Sequence, residues 1–442
     1  MFQKDDILYR QVNNVFKEDF DHFVSSGCYD HLVENELLIP HEELSHNLLH
    51  SDTWYKTLLP KKIPFISYPY EWCFNMLKDA ALLTLQLVRE SLSFGVILKD
   101  ATPYNIQWSN GKLVFIDTLS FQKYDPAQPW IAYRQFCETF LGPLLLMHYA
   151  GQPLQSFLLA FPDGIPLSIT KSLLPWRSRL SLHTYLHIHL HEKMARQSVG
   201  HEQSSQNNFS EKKLRRLIDS LESLINSLRF AERASVWSNY YAEANQRNDY
   251  LQQKKSIIAG WISELPGLKR GLDVGANTGQ FSCLLAKNNI DVVACDFDHN
   301  PINKLYNDVI AAQEKNILPL VLDVASPTPS IGVNNLERAS FIDRTKADIC
   351  LALALIHHLA IGKNIHFEKM VELFSKITRY LIIEYVPKAD EKVQLMLKQK
   401  KDIYDSYSED NFLKAFQKRF NVVDKKEIGD SRRVLFLMKK ID

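Results

Sequence analysis

Gly271-Leu272-Asp273-Val274-Gly275-Ala276-Asn277-Thr278-Gly279-Gln280-Phe281 carries an apolar strand into a glycine-rich turn and on into a helix. An open α/β sheet presents backbone N–H groups to a ligand in this way, at the C-terminal edge of its first strand. The spacing is Asp-x-Gly-x-x-x-Gly rather than the G-x-G-x-x-G that cradles a dinucleotide. The phosphate lysine of G-x-x-x-x-G-K-[ST] is missing as well. No Lys or Arg occurs between Gly271 and Leu285, so the turn is poorly suited to a polyphosphate.

Downstream, apolar strands alternate with helical patterns, as in a parallel sheet with crossover helices. Val292–Cys295 reads as a second strand ending in Asp296, with Asp298 as the back-up acid. Leu318–Leu322 reads as a third, ending at Asp323-Val324. Ala347–Leu353 is a fourth, running into Ala354-Leu355-Ile356-His357-His358-Leu359, and Tyr380–Pro387 is a fifth that contains Glu384. Helices at about 390–401 and 408–419 precede a hairpin of Phe420–Lys426 and Arg433–Lys439. Upstream, Trp237-Ser238-Asn239-Tyr240-Tyr241 opens a helix to about Leu265, where Pro266-Gly267 marks a stop.

The glycine turn, the acidic strand ends and the Ile356-His357-His358-Leu359 run together resemble the motifs of class I S-adenosylmethionine-dependent methyltransferases. The resemblance spans about 237–442. It implies an α/β fold with a Rossmann-like seven-stranded methyltransferase sheet, a reversed last strand pair, and S-adenosyl-L-methionine as cofactor. It also implies roles. Gly275 lets the backbone approach the amino-acid end of the cofactor, and Gly279 lets the next helix pack close. Asp273 holds the ammonium group, Asp296 accepts from the ribose hydroxyls, and Asp323 with the Val324 N–H meets the adenine edge. Ala276, Asn277, Phe297 and Ala352 complete the cofactor contacts. His357, ahead of His358, is the candidate general base, with Glu384 a second. The alternative is that the His pair only stabilises its loop, methyl transfer running on alignment alone. Tyr404 and Tyr407 are candidate acceptor-pocket residues.

The first half has its own organising stretch. A helix from about Phe74 to Ser93, with Met76, Ala80, Leu83, Leu87 and Leu92 on one face, leads to Asp100, Asn105, a hairpin turn at Asn110-Gly111 and Asp117. This order and spacing resemble the catalytic core of protein kinases and aminoglycoside-phosphotransferase-like kinases. There the first Asp orients the nucleophile while the Asn and the last Asp hold Mg²⁺. The resemblance covers about 70–195 and implies an N-terminal α+β kinase-like domain with Mg-ATP as a further ligand. The chain departs from the pattern. Leu98-Lys99 stands before the first Asp, the last motif is Asp117-Thr118-Leu119, and Gly27 is the only glycine before Gly95. Asp100 and Asn105 as turn caps, and Asp117 as a strand end, are the plainer alternative. His183, His187 and His191 share a helix face, but packing explains them more simply than a metal site, and no metal is expected.

Polar residues 197–210 read as a linker, and Leu214 to Leu228 as an amphipathic helix packing between the halves. The expected division is 1–195 kinase-like, 196–236 linker and connecting helix, and 237–442 methyltransferase. With Tyr68-Pro69-Tyr70-Glu71-Trp72 and Tyr133-Arg134-Gln135-Phe136-Cys137, the layout resembles a bacterial, nodulation-type family of two-part methyltransferases. Charge is balanced at 52 basic to 51 acidic residues, so nucleic acid is not an expected partner. A small-molecule or glycan acceptor is expected, with a protein partner open to the N-terminal domain. The six cysteines are dispersed, no apolar run reaches membrane-spanning length, and no secretory h-region follows Met1. A cytoplasmic protein is the expectation.

Overall fold

The computed structural model describes residues 1–5, 7–193, 210–231, 248–398 and 400–441. The expected aromatic run Trp237–Tyr241 and most of the expected polar linker lie outside them. The chain divides into two compact units, Met1–Glu232 and Arg233–Asp442. Among the described residues no helix is long and apolar enough to cross a membrane.

The first unit begins with a four-stranded antiparallel sheet of β1 (Phe2–Lys4), β2 (Ile7–Asn13), β3 (His41–Leu44) and β4 (Trp54–Pro60), in the order β1-β2-β4-β3. Helices Lys17–Ser25 and Cys28–Glu34 connect β2 to β3. The helix Phe74–Leu92 buries all the apolar positions read from the sequence, and also Leu77, Ala81, Leu85 and Val88. A helix apolar beyond a single stripe is a central one. After it come β5 (Val96–Leu98), paired with β8 (Phe121–Lys123), and the hairpin of β6 (Ile106–Ser109) and β7 (Lys112–Phe115). Asn110 and Gly111 turn that hairpin with φ of 52° and 80°, the left-handed pair a two-residue loop requires.

The helix Glu211–Ser227 buries Leu214, Ile218, Leu221, Leu224 and Ile225. It was expected between the two halves. In the structure it belongs to the first unit and packs on Phe74–Leu92. There the Arg89 guanidinium meets Asp219 and Glu222, and the Lys78 ammonium donates to the Leu228 carbonyl at 3.0 Å. An amphipathic stripe dictates that a helix packs, but not against what.

The second unit is built on β9 (Arg270–Val274), β10 (Asp291–Asp296), β11 (Ile317–Val321), β12 (Ala347–Ala352), β13 (Thr378–Tyr385), β14 (Phe420–Glu427) and β15 (Val434–Lys440). Their order is β11-β10-β9-β12-β13-β15-β14, with β15 antiparallel to both neighbours. Seven strands with a reversed β15 are what the sequence resemblance implies for this unit. Strands β9 to β13 are mostly buried, as strands covered on both faces must be. Pro319 lies within β11 at one edge. Along the other edge β14 shifts register between Val422 and Asp424. The order reverses beside β9: β10 lies on one side and β12 on the other. Such a switch point opens a crevice at the strands' C-terminal ends.

Candidate functional site

That crevice holds a cavity of about 350 Å³. Its floor is the turn after β9. Gly275 sits at φ +76° and Gly279 at φ +75°, conformations that cost an L side chain. The Gly275 and Ala276 N–H groups both donate to the Cys295 carbonyl, at 2.8 and 3.0 Å, which pins the turn to β10. A Cβ on Gly279 would stand 2.4 Å from Leu305 Cδ1, so this glycine serves the close packing of the following segment.

Two buried acids face the cavity from neighbouring strands. The Asp296 carboxylate accepts from the Asn277 N–H at 3.0 Å and the Asp298 N–H at 2.9 Å. Burial nonetheless lifts its pKa to about 6 against those donors. Asp273, at the end of β9, accepts from Ser282 Oγ at 2.7 Å and is likewise lifted to about 6, chiefly by burial. Asp298 turns away to cap the helix His299–Ala311 through the Asn300 N–H, so Asp296 is the acid presented to a ligand. Asp323 stands at the exposed side and pairs with Lys363 at 3.3 Å.

The helix Asn248–Glu264 brings Tyr250, Leu251 and Lys254 to the wall. Lys254 Nζ reaches Glu384 Oε2 at 2.5 Å, and Tyr250 Oη donates to Glu384 Oε1 at 2.6 Å. Arg433 also reaches Glu384 Oε1 at 3.3 Å and grips Asp390 through two nitrogens, at 2.9 and 3.1 Å. Burial alone would raise the Glu384 carboxyl; Lys254 and Arg433 outweigh it and hold the group below the usual range. The expected base role for Glu384 does not match this placement. It has no exposed surface, carries two cations and does not line the cavity.

The wall beyond β12 is Leu353, Ala354, Leu355, His358 and Leu359. Ala354 takes φ +50°, a left-handed conformation without a glycine, and the chain then widens into a π turn over His358–Gly362. Both features concentrate at functional sites. Of the two histidines, His358 lines the cavity, whereas His357, the favoured base in the sequence, is buried behind it. Burial and then Arg433 bring His358 down to about 4, so its ring is neutral at ordinary pH. Tyr404 and Tyr407 do not line the cavity either. Tyr404 Oη braces the π turn at the Ile361 carbonyl, 3.0 Å away, and Tyr407 Oη donates to Val386 at 2.7 Å.

Of the expected cofactor residues, Asp273, Gly275, Ala276, Asn277, Asp296, Phe297, Asp323 and Val324 line the cavity. Gly279 and Ala352 stand behind it, the first as a packing contact and the second buried at the end of β12. Sequence reasoning missed Tyr250, Lys254, Lys363 and Met396. The charge balance is telling. Among the described residues the wall's two cations, Lys254 and Lys363, form ion pairs with Glu384 and Asp323, while Asp273 and Asp296 form none, although Lys254 is near enough to draw the Asp273 pKa down against its burial. A ligand with positive charge and hydroxyl donors fits such a wall, and S-adenosylmethionine has both.

In the first unit Asp100, Asn105 and Asp117 do come together. Asn105 Nδ2 donates to Asp100 Oδ2 at 3.1 Å and to Ser120 Oγ at 3.3 Å, and Ser120 Oγ donates to Asp117 Oδ2 at 2.8 Å. Gln135 takes the other oxygen of Asp100 at 2.7 Å. Arg10, on β2, reaches Asp117 Oδ1 at 2.6 Å, and the Leu119 N–H shares that oxygen at 2.9 Å. A guanidinium in direct contact repels a dication, so this carboxylate does not fit the expected Mg²⁺ in the arrangement seen. The His187 ring is also committed, to Tyr133 Oη and Ser220 Oγ, each at 2.8 Å.

No family model matches the chain. The nodulation protein NoeA of Rhizobium meliloti (strain 1021) is 34% identical over 385 residues, which cover 85% of this chain and 80% of that protein. Among solved structures, the bifunctional kinase-methyltransferase WbdD is similar at 15% identity and a TM-score of 0.30, over 44% of this chain and 39% of that one. The N-methyltransferase NodS of Bradyrhizobium japonicum WM9 is similar at 11% identity and a TM-score of 0.32, over 45% and 97%. Magnesium protoporphyrin IX methyltransferase of Synechocystis PCC 6803, with bound SAH, is similar at 15% identity and a TM-score of 0.32, over 48% and 90%.

Proposed function

We propose, from the premise that the chain belongs to the family of the nodulation protein NoeA, that its second unit is an S-adenosylmethionine-dependent methyltransferase. The acceptor is an oxygen or nitrogen of a small molecule or glycan intermediate, and the place of work is the cytoplasm. One observation carries the reading. Asp273 and Asp296, both buried and in no ion pair among the described residues, converge on one cavity at the switch point of the sheet.

In this reading the cofactor supplies an electrophilic methyl group. Asp273 receives the ammonium end and Asp296 the ribose hydroxyls, while Asp323 and the Val324 N–H face the base. The Leu353–Leu355 wall aligns acceptor, methyl carbon and sulfur, which is where much of the rate of an in-line displacement originates. His358 offers a neutral imidazole to an acceptor hydroxyl or amine. With a pKa near 4 it serves better to orient the nucleophile than to keep its proton. Calorimetric titration with S-adenosylhomocysteine tests the proposal. Binding that falls on the order of 100-fold in Asp296→Ala supports it; no binding by the wild-type chain, or equal binding by both, removes it.

The first unit then serves binding or regulation. The Arg10–Asp117 contact favours that role over phosphoryl transfer. A bifunctional kinase-methyltransferase is the second reading, supported by the Asp100–Asn105–Asp117 cluster. Mg-dependent ATP turnover that disappears in Asp117→Ala would bring it to the front.

A further inference from the structure

Large apolar side chains exposed singly are ordinary on a protein surface. Between Leu173 and Leu186 they are not single. Trp176 is 74% exposed, Leu180 75%, Leu182 68%, Leu173 53%, Tyr185 42% and Leu186 39%, a density found nowhere else among the described residues. They are carried by the helix Leu167–Leu173, the 3-10 turn Trp176–Leu180, the short helix Leu182–Thr184 and its wide-turn continuation Tyr185–Leu190, and these elements pack on one another. Buried Ser178 Oγ lies 3.0 Å from His189 Nε2, which ties the 3-10 turn to the wide turn Tyr185–Leu190.

The same stretch is locally basic in a chain that is balanced overall. No Asp or Glu lies between Asp163 and Glu192, while Lys171, Arg177 and Arg179 do. Glu192 neutralises Lys171 at 2.5 Å. Arg177 and Arg179 remain exposed, on either side of buried Ser178 and flanked by Trp176 and Leu180. Arg177 is held by a hydrogen bond to the Tyr149 carbonyl at 2.9 Å.

We propose that this face of the first unit docks on an anionic lipid surface. Trp176, Leu180 and Leu182 would enter the headgroup boundary, and Arg177 and Arg179 would meet lipid phosphates. Two features select a bilayer over a protein partner. Side chains keeping about two-thirds to three-quarters of their area exposed stand proud of the surface. A rigid partner needs a matching pocket for each of them, whereas a fluid headgroup layer accepts them without one. Second, an exposed Trp flanked by arginines and leucines matches what interfaces with anionic lipid select. The proposal is independent of the reading of the second unit, because every residue in it belongs to the first.

The test is co-sedimentation of the full chain with phosphatidylcholine vesicles, with and without phosphatidylglycerol. Expected is pelleting with the anionic vesicles only, weakened by salt. Arg177→Gln with Arg179→Gln should reduce the partition on the order of 25-fold, and Trp176→Ser with Leu180→Ser by about tenfold or more. Arg179→Gln alone, at an exposed site, is the variant least able to disturb folding, and it should lose about fivefold. Circular dichroism checks each variant. No pelleting by the wild-type chain, or pelleting that all variants retain, overturns the proposal. So does self-association of the wild-type chain without vesicle binding that Trp176→Ser abolishes, since the face would then belong to a second copy.

Discussion

Asp296 carries a sign that can be worked out. Its folded pKa, about 6, lies above the ordinary 3.8. The folded protein therefore keeps a proton that the unfolded chain loses first. The stability linked to that proton is complete below about 4 and drains away as pH rises through about 6. We expect Asp296→Asn to stabilise the ligand-free protein at pH 8 by up to roughly 2–3 kcal/mol, with the gain vanishing near pH 4. Thermal denaturation at both pH values checks it; a gain equal at the two would disconnect it from this carboxyl. The same variant should bind S-adenosylhomocysteine more weakly. Gly279→Ala is a second residue-scale prediction. Positive φ and the Leu305 contact should together cost about 2–3 kcal/mol of thermal stability. Both residues were legible in the sequence, because a turn glycine and an acid at a strand end are local signals. Tyr250 and Lys254 were not. Their meaning comes from Glu384, about 130 residues further on, and no local pattern carries that. His357 and His358 were legible as a pair, but which one faces the cavity depends on the π turn.

At the scale of elements, the ionic network ties the helix Asn248–Glu264 to β13 and to the residue before β15. Removing one partner of a buried pair strands the others, at a cost near 3–5 kcal/mol. Glu384→Gln should therefore destabilise the second unit by about that much, as read from denaturant titration. Lys254→Met combined with Glu384→Leu should recover most of the loss. A double variant as unstable as the sum of the two singles would mean the pair acts separately. The strands were legible as apolar runs alternating with helical patterns, whereas the seven-stranded sheet with its reversed strand was expected only from the family resemblance. The helix Glu211–Ser227 showed its buried face but not its neighbour, so its place against Phe74–Leu92 had to come from the structure.

At the scale of the molecule, the described residues that line the cavity all belong to the second unit. The segment Arg233–Asp442 expressed by itself should bind S-adenosylhomocysteine within a few-fold of the full chain. A much weaker affinity would show that the first unit contributes. The kinase-like spacing was readable because it is local. The Arg10–Asp117 contact was not, since β2 reaches it from far upstream. The sheet of the second unit has a further consequence, for how the protein behaves when crowded. An open sheet exposes two edges, each a template on which another chain could add a strand and begin an aggregate. Here Pro319 removes a backbone donor from β11 at one edge. At the other, β14 is broken in register and continues as Asp424-Lys425-Lys426-Glu427, a charged strip unsuited to apolar pairing. Both edges of the sheet are thereby poor templates for strand addition, which counters the aggregation that so apolar a set of central strands would otherwise invite.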